Sequence, residues 1–377
     1  MTKKLMIIAG EASGDLHGAS LIKELKKLDG NLQFVGIGGD KMIEQGLKAI
    51  YHIKQMAFLG FVEVIKHLPF INKVKNDLLD IVQEEKIKNV ILIDYPGFNL
   101  NIAKKFSQLG INNYYYISPQ VWAWGKSRIN SIQKFVKKMF VIFPFEETFY
   151  KKHNVDVIFV GHPIIEHIAN YNFLTKDELY NKFNLDKEKE ILLVLPGSRK
   201  QEIKKLFSKA IKAATIISDK FNLQIVVACS ENIDENIFKS YHEGNYKVIK
   251  GYTYDLLNHS YFGIIKSGTS TLEAGYFQLP FIVIYVTNFI TYFIGKFLAK
   301  IKNIAMPNIL LEENVVPELI QYDASVENIV LTATKILNDS EKFNSIKNKL
   351  GKIKERLGNT KASETAAGII YLQLNET

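Results

Sequence analysis

Short, almost wholly apolar runs alternate along this chain with longer stretches in which apolar residues recur every three or four positions. The runs fall at Leu5–Ala9, Gln33–Ile37, Val90–Asp94, Asn113–Ile117, Met139–Phe143 and Val157–Val160. A second series follows at Ile191–Leu195, Gln224–Ala228, Tyr246–Ile249, Phe262–Ile265 and Phe281–Val286. Strands that are apolar at every position are covered on both faces, and strands separated by helical patterns form parallel sheets. The pattern therefore predicts an α/β chain of two doubly wound, Rossmann-type domains facing a central cleft. Gly161–Lys176 joins the two series, and Thr175 with Glu178 spells a capping box for the helix that follows. Beyond Gln321 the chain turns helical and charged, with helices expected at Val326–Leu337, Glu341–Leu357 and Ser363–Leu372. The domains expected are 1–168 and 169–340, with the helices of 341–377 crossing back onto the first by analogy with two-domain enzymes of this shape.

Two strand-loop-helix junctions carry the chemistry. After Ile191–Leu195 comes Pro196-Gly197-Ser198-Arg199. Glycine permits the turn, Ser198 and the loop N–H groups can receive an anion at the helix start, and Arg199 offers a planar fork to phosphate oxygens. After Phe262–Ile265 comes Lys266-Ser267-Gly268-Thr269-Ser270-Thr271-Leu272-Glu273, a second anion nest with a carboxylate one turn further on that could accept both hydroxyls of a ribose. Diphosphate beside ribose points to a nucleotide. In the first domain the equivalent loop is acidic, Glu11-Ala12-Ser13-Gly14-Asp15, which suits a polyol or sugar better than a phosphate. Singly, Ser13 or Asp15 could equally be a helix cap.

Asp94 ends an apolar strand ahead of Tyr95-Pro96-Gly97-Phe98-Asn99, at the edge where parallel sheets bind ligands, and is the candidate general base. Trp122 and Trp124 read as packing residues. The eight His are scattered without zinc spacing and no Asp-x-Asp pair is present, so no metal and no cofactor is expected. Gly36-Ile37-Gly38-Gly39-Asp40 approaches a dinucleotide fingerprint but follows the second strand rather than the first.

Composition narrows the setting. Of 377 residues, 47% are hydrophobic and 23% charged, as in a globular chain long enough for two cores. The lone Cys229 excludes an intrachain disulfide framework and reads as a buried strand thiol. With no signal-peptide core behind Met1–Lys4, a cytoplasmic location is expected. Ala274–Gly295 is uncharged over 22 residues, but its polar interruptions and β-branched run favour strand, loop and amphipathic helix over a membrane span. The +9 formal charge favours anionic partners. Met56–Lys75 and Phe289–Lys302 mix bulky aromatics with lysines as helices on lipid surfaces do, a pattern that a core-facing helix with solvated lysines fits equally well for either segment alone, whereas no concentrated basic arm suggests nucleic acid.

AGEASGD at 9–15, MAFLGFVEV at 56–64, SPQVWAW at 118–124, PFE at 144–146, VGHP at 160–163, LPGSR at 195–199, SGT at 267–269 with LEA at 272–274, MPNIL at 306–310 and PELIQ at 317–321 together resemble the lipid-A-disaccharide synthase family. These are inverting glycosyltransferases of the two-domain GT-B class, and the resemblance runs nearly end to end. It implies condensation of UDP-2,3-diacylglucosamine with 2,3-diacylglucosamine 1-phosphate to a β-1,6-linked disaccharide and UDP, at the cytoplasmic face of the inner membrane. It further implies Asp94 as base on the acceptor 6-hydroxyl and Arg199 on the diphosphate. Gly197, Ser198, Ser267, Gly268, Thr269, Ser270, Glu273 and Asn308 would serve the donor, and Glu11, Ser13 and Gly14 the acceptor side. Gly97 stands where the family commonly has a second acid, so no role for such an acid carries over. A homodimer is left open. The rival readings are another GT-B enzyme acting on UDP-N-acetylglucosamine and a non-catalytic membrane-surface adaptor.

Overall fold

The computed structural model describes residues 3–56, 67–122, 127–241, 244–287 and 303–375. The chain divides into two compact units, Met1–His167 with Leu357–Thr377, and Ile168–Arg356.

The first unit holds a parallel seven-stranded sheet: β1 Lys4–Ala9, β2 Gln33–Gly38, β3 Leu47–His52, β4 Asn89–Ile93, β5 Asn112–Tyr116, β6 Lys138–Val141 and β7 Val157–Phe159, in the order β3-β2-β1-β4-β5-β6-β7. Alternate residues of each strand enter different cores. Met6, Ile8, Val90, Leu92 and Tyr115 pack on one face with the helices Leu68–Glu84 and Pro96–Gln108. Leu5, Ile7, Ala9, Ile91, Ile93 and Tyr114 pack on the other with Ala12–Leu28 and Ala362–Asn375. Both faces are covered, which is why the strands carry no polar alternation. The last helix presents Ala362, Ala366, Ala367 and Ile370 to this second core.

The second unit holds a parallel six-stranded sheet, β8 Glu190–Leu195, β9 Leu223–Cys229, β10 Tyr246–Lys250, β11 Phe262–Lys266, β12 Phe281–Tyr285 and β13 Glu318–Ile320, in the order β10-β9-β8-β11-β12-β13. The long helix Lys200–Phe221 buries Ile203, Leu206, Phe207, Ala210, Ile211, Ala214 and Ile217, a spacing of three and four that makes one apolar face. The Thr175–Glu178 capping box forms: the Thr175 hydroxyl accepts the Glu178 N–H at 3.3 Å, and the Glu178 carboxylate accepts the Thr175 N–H at 2.8 Å.

All eleven apolar runs are strands. Two more strands, β3 and β13, lack a continuous apolar run, the first broken by Lys48 and His52 and the second only three residues long. The C-terminal helices do not stay together as 341–377. The helix Ser340–Leu357 lies in the second unit up to Arg356, with Ile353 packed against Gly275, and only the chain from Leu357 joins the first.

The near-fingerprint at Gly36–Asp40 has a packing cause. Gly36 has φ +147°, and a Cβ there would lie 2.0 Å from the backbone oxygen of Ile7 on the neighbouring strand. Both partners are sheet backbone, so neither can yield. Gly36→Ala is expected to cost at least about 3 kcal/mol and to leave little folded protein, read by urea unfolding against wild type.

Candidate active site

In each sheet the strand order reverses once, between β1 and β4 in the first unit and between β8 and β11 in the second. Ligands of open parallel sheets bind at the carboxyl ends of the strands at such reversals. The registers pair Ala9 with Ile93 and Leu195 with Ile265. The residues that follow are Gly10-Glu11 and Asp94 in one unit, and Pro196–Arg199 and Lys266–Gly268 in the other. Sequence-predicted residues are thus gathered at both reversals.

Asp94 and Tyr95 have φ of +44° and +48°, two consecutive non-glycine residues in the left-handed region. Each costs on the order of 1 kcal/mol, so the surroundings must hold them. Asn99 Nδ2 donates to the carbonyls of Ile93 at 3.1 Å and Asp94 at 2.7 Å, the Tyr115 hydroxyl donates to the Asp94 carbonyl at 2.6 Å, and the Asp94 N–H donates to the Tyr116 carbonyl at 3.2 Å. The helix begins at Pro96 with Tyr95 at its N-cap, so Asn99 lies inside the first turn and pins the left-handed turn rather than capping the helix. The Asp94 N–H and carbonyl are thus both engaged by bonds that do not involve its carboxylate. Burial, with a smaller push from the negative charge of Glu11 and opposition from the Tyr95 N–H, raises the carboxyl from 3.8 to about 6.

Around it, Glu11 and Ser13 are exposed, and Glu11 makes no side-chain cap to the helix it precedes. Gly14 is buried, packed against Ala9. Asp15 is no part of an acceptor lip: its carboxylate accepts the N–H groups of Gly39 at 2.7 Å, Lys41 at 3.2 Å and Met42 at 3.0 Å, capping the short helix Asp40–Glu44. Because Glu11 raises Asp94, Glu11→Gln should move the acidic limb of the kcat/KM profile to lower pH. The expected displacement is under one unit, since burial is the larger cause.

In the second unit, Gly197 has φ +117° and lets the loop turn over the first turn of the Lys200–Phe221 helix. Arg199 is the helix N-cap and its exposed side chain is free of that helix. The Ser198 carbonyl is pinned by Asn232 Nδ2 at 3.1 Å. At the second nest the hydroxyls are largely engaged: Ser267 donates to Ile304 at 3.1 Å, Ser270 to Lys266 at 3.2 Å and Thr271 to Gly268 at 2.7 Å, all backbone carbonyls. Exposed Thr269 and the N–H groups at the start of the Thr269–Tyr276 helix remain to meet an anion. Burial lifts the Glu273 carboxyl to about 7, against a hydrogen bond from Tyr254.

Asn308 departs from the expectation that it lines the site. It is 1% exposed; Nδ2 donates to Val316 at 2.8 Å and Glu318 at 2.9 Å, and Oδ1 accepts from Val315 at 2.8 Å and Val316 at 2.9 Å. Both donors and both lone pairs are used, leaving nothing for a nucleotide. Glu146 is likewise internal, raised to about 7 by burial and accepting from Ser118 at 2.6 Å and Trp122 at 3.1 Å. Ser118, Trp122 and Glu146, from two of the quoted motifs, thus form a core bridge, and Trp122 is a packing residue as expected. Trp124 lies outside the described residues. Lys266, the first residue of the second nest, forms an ion pair of 2.9 Å with Glu202 behind the two donor loops; Glu202 itself carries no signal in the sequence.

Phe289–Lys302 and the 57–66 part of Met56–Lys75 lie outside the described residues. Among the described residues no helix is long and apolar enough to cross a membrane. Within the same residues no group of three His, Cys, Asp or Glu is placed to hold a metal.

Two parallel α/β units with loop sites at their strand reversals define the GT-B class, and solved structures share the fold over the full chain. A UDP-GlcNAc 2-epimerase from Neisseria meningitidis aligns with a TM-score of 0.66 at 14% identity, covering 99% of this chain and 100% of the other. A glycotransferase of kitacinnamycin aligns at 0.68 with 10% identity, covering 99% and 100%. The lipid-A-disaccharide synthetase family model matches residues 5–370. Lipid-A-disaccharide synthases of Geobacter metallireducens (36% identical; 99% of this chain, 98% of the relative) and Nitrosococcus oceani (39%; 93% and 92%) are among its relatives. The chain belongs to the lipid-A-disaccharide synthetase family.

Proposed function

We propose that this chain transfers 2,3-diacylglucosamine from its UDP donor to the 6-hydroxyl of 2,3-diacylglucosamine 1-phosphate, forming the β-1,6-linked disaccharide of lipid A and releasing UDP. The observation that carries this is the family match across residues 5–370, joined to a raised carboxyl at one strand reversal and an arginine-bearing glycine loop at the other. Asp94 takes the proton of the acceptor hydroxyl as its oxygen attacks the anomeric carbon. The bond from that carbon to the diphosphate breaks with inversion. Arg199, with the N–H groups of the Gly197–Ser198 and Gly268–Ser270 segments, takes up the charge on the departing UDP. Glu273 serves the ribose hydroxyls as a carboxylate. Raised to about 7, it ionises as pH climbs through neutrality, so UDP affinity should strengthen from pH 6 to pH 8.

Catalysis by these protein groups requires no divalent ion. Product formation, followed by mass spectrometry in mixed micelles, is therefore expected at the same rate with and without EDTA; a strict requirement for added metal would contradict this part. The enzyme acts at the cytoplasmic face of the inner membrane, with Met56–Lys75 and Phe289–Lys302 meeting lipid. Acylated substrates give such segments a purpose that a UDP-N-acetylglucosamine enzyme would lack. No observation favours the adaptor reading.

A further inference from the structure

Lys266 ends β11, and its side chain has no part in the chemistry above. Its ammonium lies 2.9 Å from Oε1 of Glu202, and both side chains are largely covered, 16% and 21% exposed. Glu202 stands in the first turn of the Lys200–Phe221 helix, beneath the Gly197 loop: a Cβ on Gly197 would fall 2.6 Å from Glu202 Oε2. Among the described residues, that second oxygen is buried and has no hydrogen-bond partner. On the other side, a Cβ on Gly268 would lie 3.5 Å from the Lys266 ammonium, which also sits 5.8 Å from the centre of the Tyr285 ring. The pair therefore connects the two glycine loops from behind.

A lone carboxylate at that place would oppose any anion received by the loops, and a half-paired buried carboxylate is unfavourable in itself. An ammonium has three donors, of which Glu202 takes one. We propose that Lys266 is a direct contact of the donor diphosphate and that Glu202 is a positioning residue holding the ammonium between the Gly197 and Gly268 loops. The proposal rests on the nucleotide-sugar reading above and adds a cation to it beside Arg199.

The test measures binding of UDP and of uridine to the full chain by calorimetry and NMR titration. The proteins compared are wild type, Lys266→Met, Lys266→Arg and the double variant Lys266→Met/Glu202→Gln. Loss of one charged contact predicts roughly ten- to hundredfold weaker UDP binding in Lys266→Met, with uridine unchanged within about twofold. Lys266→Arg should keep most UDP affinity, and the double variant should stay weak. Wild type that fails to bind UDP overturns the nucleotide-sugar reading and the proposal with it. If wild type binds, three outcomes overturn the role of Lys266 alone. These are unchanged UDP affinity in Lys266→Met, parallel loss of UDP and uridine, or a double variant restored to wild-type affinity, which would mean that Lys266 only neutralises Glu202. Should Lys266→Met fail to fold, Lys266→Gln carries the same comparison.

Discussion

Asp94→Asn is expected to lower the transfer rate by about 10²- to 10⁴-fold while leaving UDP affinity within about twofold, because the amide cannot accept the acceptor's proton and Asp94 serves the unit opposite in role to the donor loops. Its shape is nearly the same, and the backbone bonds from Asn99, Tyr115 and to Tyr116 that hold the left-handed turn do not involve the carboxylate. The same substitution should stabilise the fold. The Asp94 carboxyl is raised from 3.8 to about 6, so the folded state binds its proton more tightly than the unfolded state. Stability from this group is therefore full below pH 3.8, falls as pH rises through 6, and stays reduced by on the order of 2 kcal/mol above it. Asparagine carries no such cost. The variant's Tm should exceed that of wild type by a few degrees at pH 8 and match it at pH 4, the signature of a residue retained for chemistry at the expense of stability. Full activity in Asp94→Asn would remove it as the base.

Arg199→Ala is expected to weaken UDP binding about tenfold and to lower kcat/KM by about 10²- to 10³-fold, the larger loss falling on the step in which charge accumulates on the leaving diphosphate. This separates it from Asp94→Asn, which spares UDP binding. Arg199 is exposed at the start of its helix, so Tm should hold within about a degree, and Arg199→Lys should recover only part of the loss because an ammonium lacks the planar fork. Equal UDP affinity and equal turnover in Arg199→Ala would take the diphosphate away from this loop.

The parallel sheets were legible because burial on both faces writes itself as unbroken apolar runs. β3 and β13 were not: Leu47–His52 is interrupted by Lys48 and His52, and Glu318–Ile320 is only three residues long and opens on a glutamate. Site positions at Asp94, Arg199 and Gly268 follow from strand ends, which sequence locates well. What sequence could not supply is where polar side chains spend their hydrogen bonds. The resemblance implies a donor-facing Asn308, whose amide is instead consumed by Val315, Val316 and Glu318. Asp15 reads as a local cap and reaches 24 residues along the chain to Gly39. Glu202 and Lys266 are 64 positions apart, joined only because β8 and β11 are neighbours.

Transfer between two specific lipid-linked sugars is tested most directly by the rate of UDP release from UDP-2,3-diacylglucosamine, with and without 2,3-diacylglucosamine 1-phosphate. Release that depends on the acceptor and matches disaccharide formed mole for mole is the predicted result. Absence of acceptor-dependent release from a chain that binds UDP would contradict it.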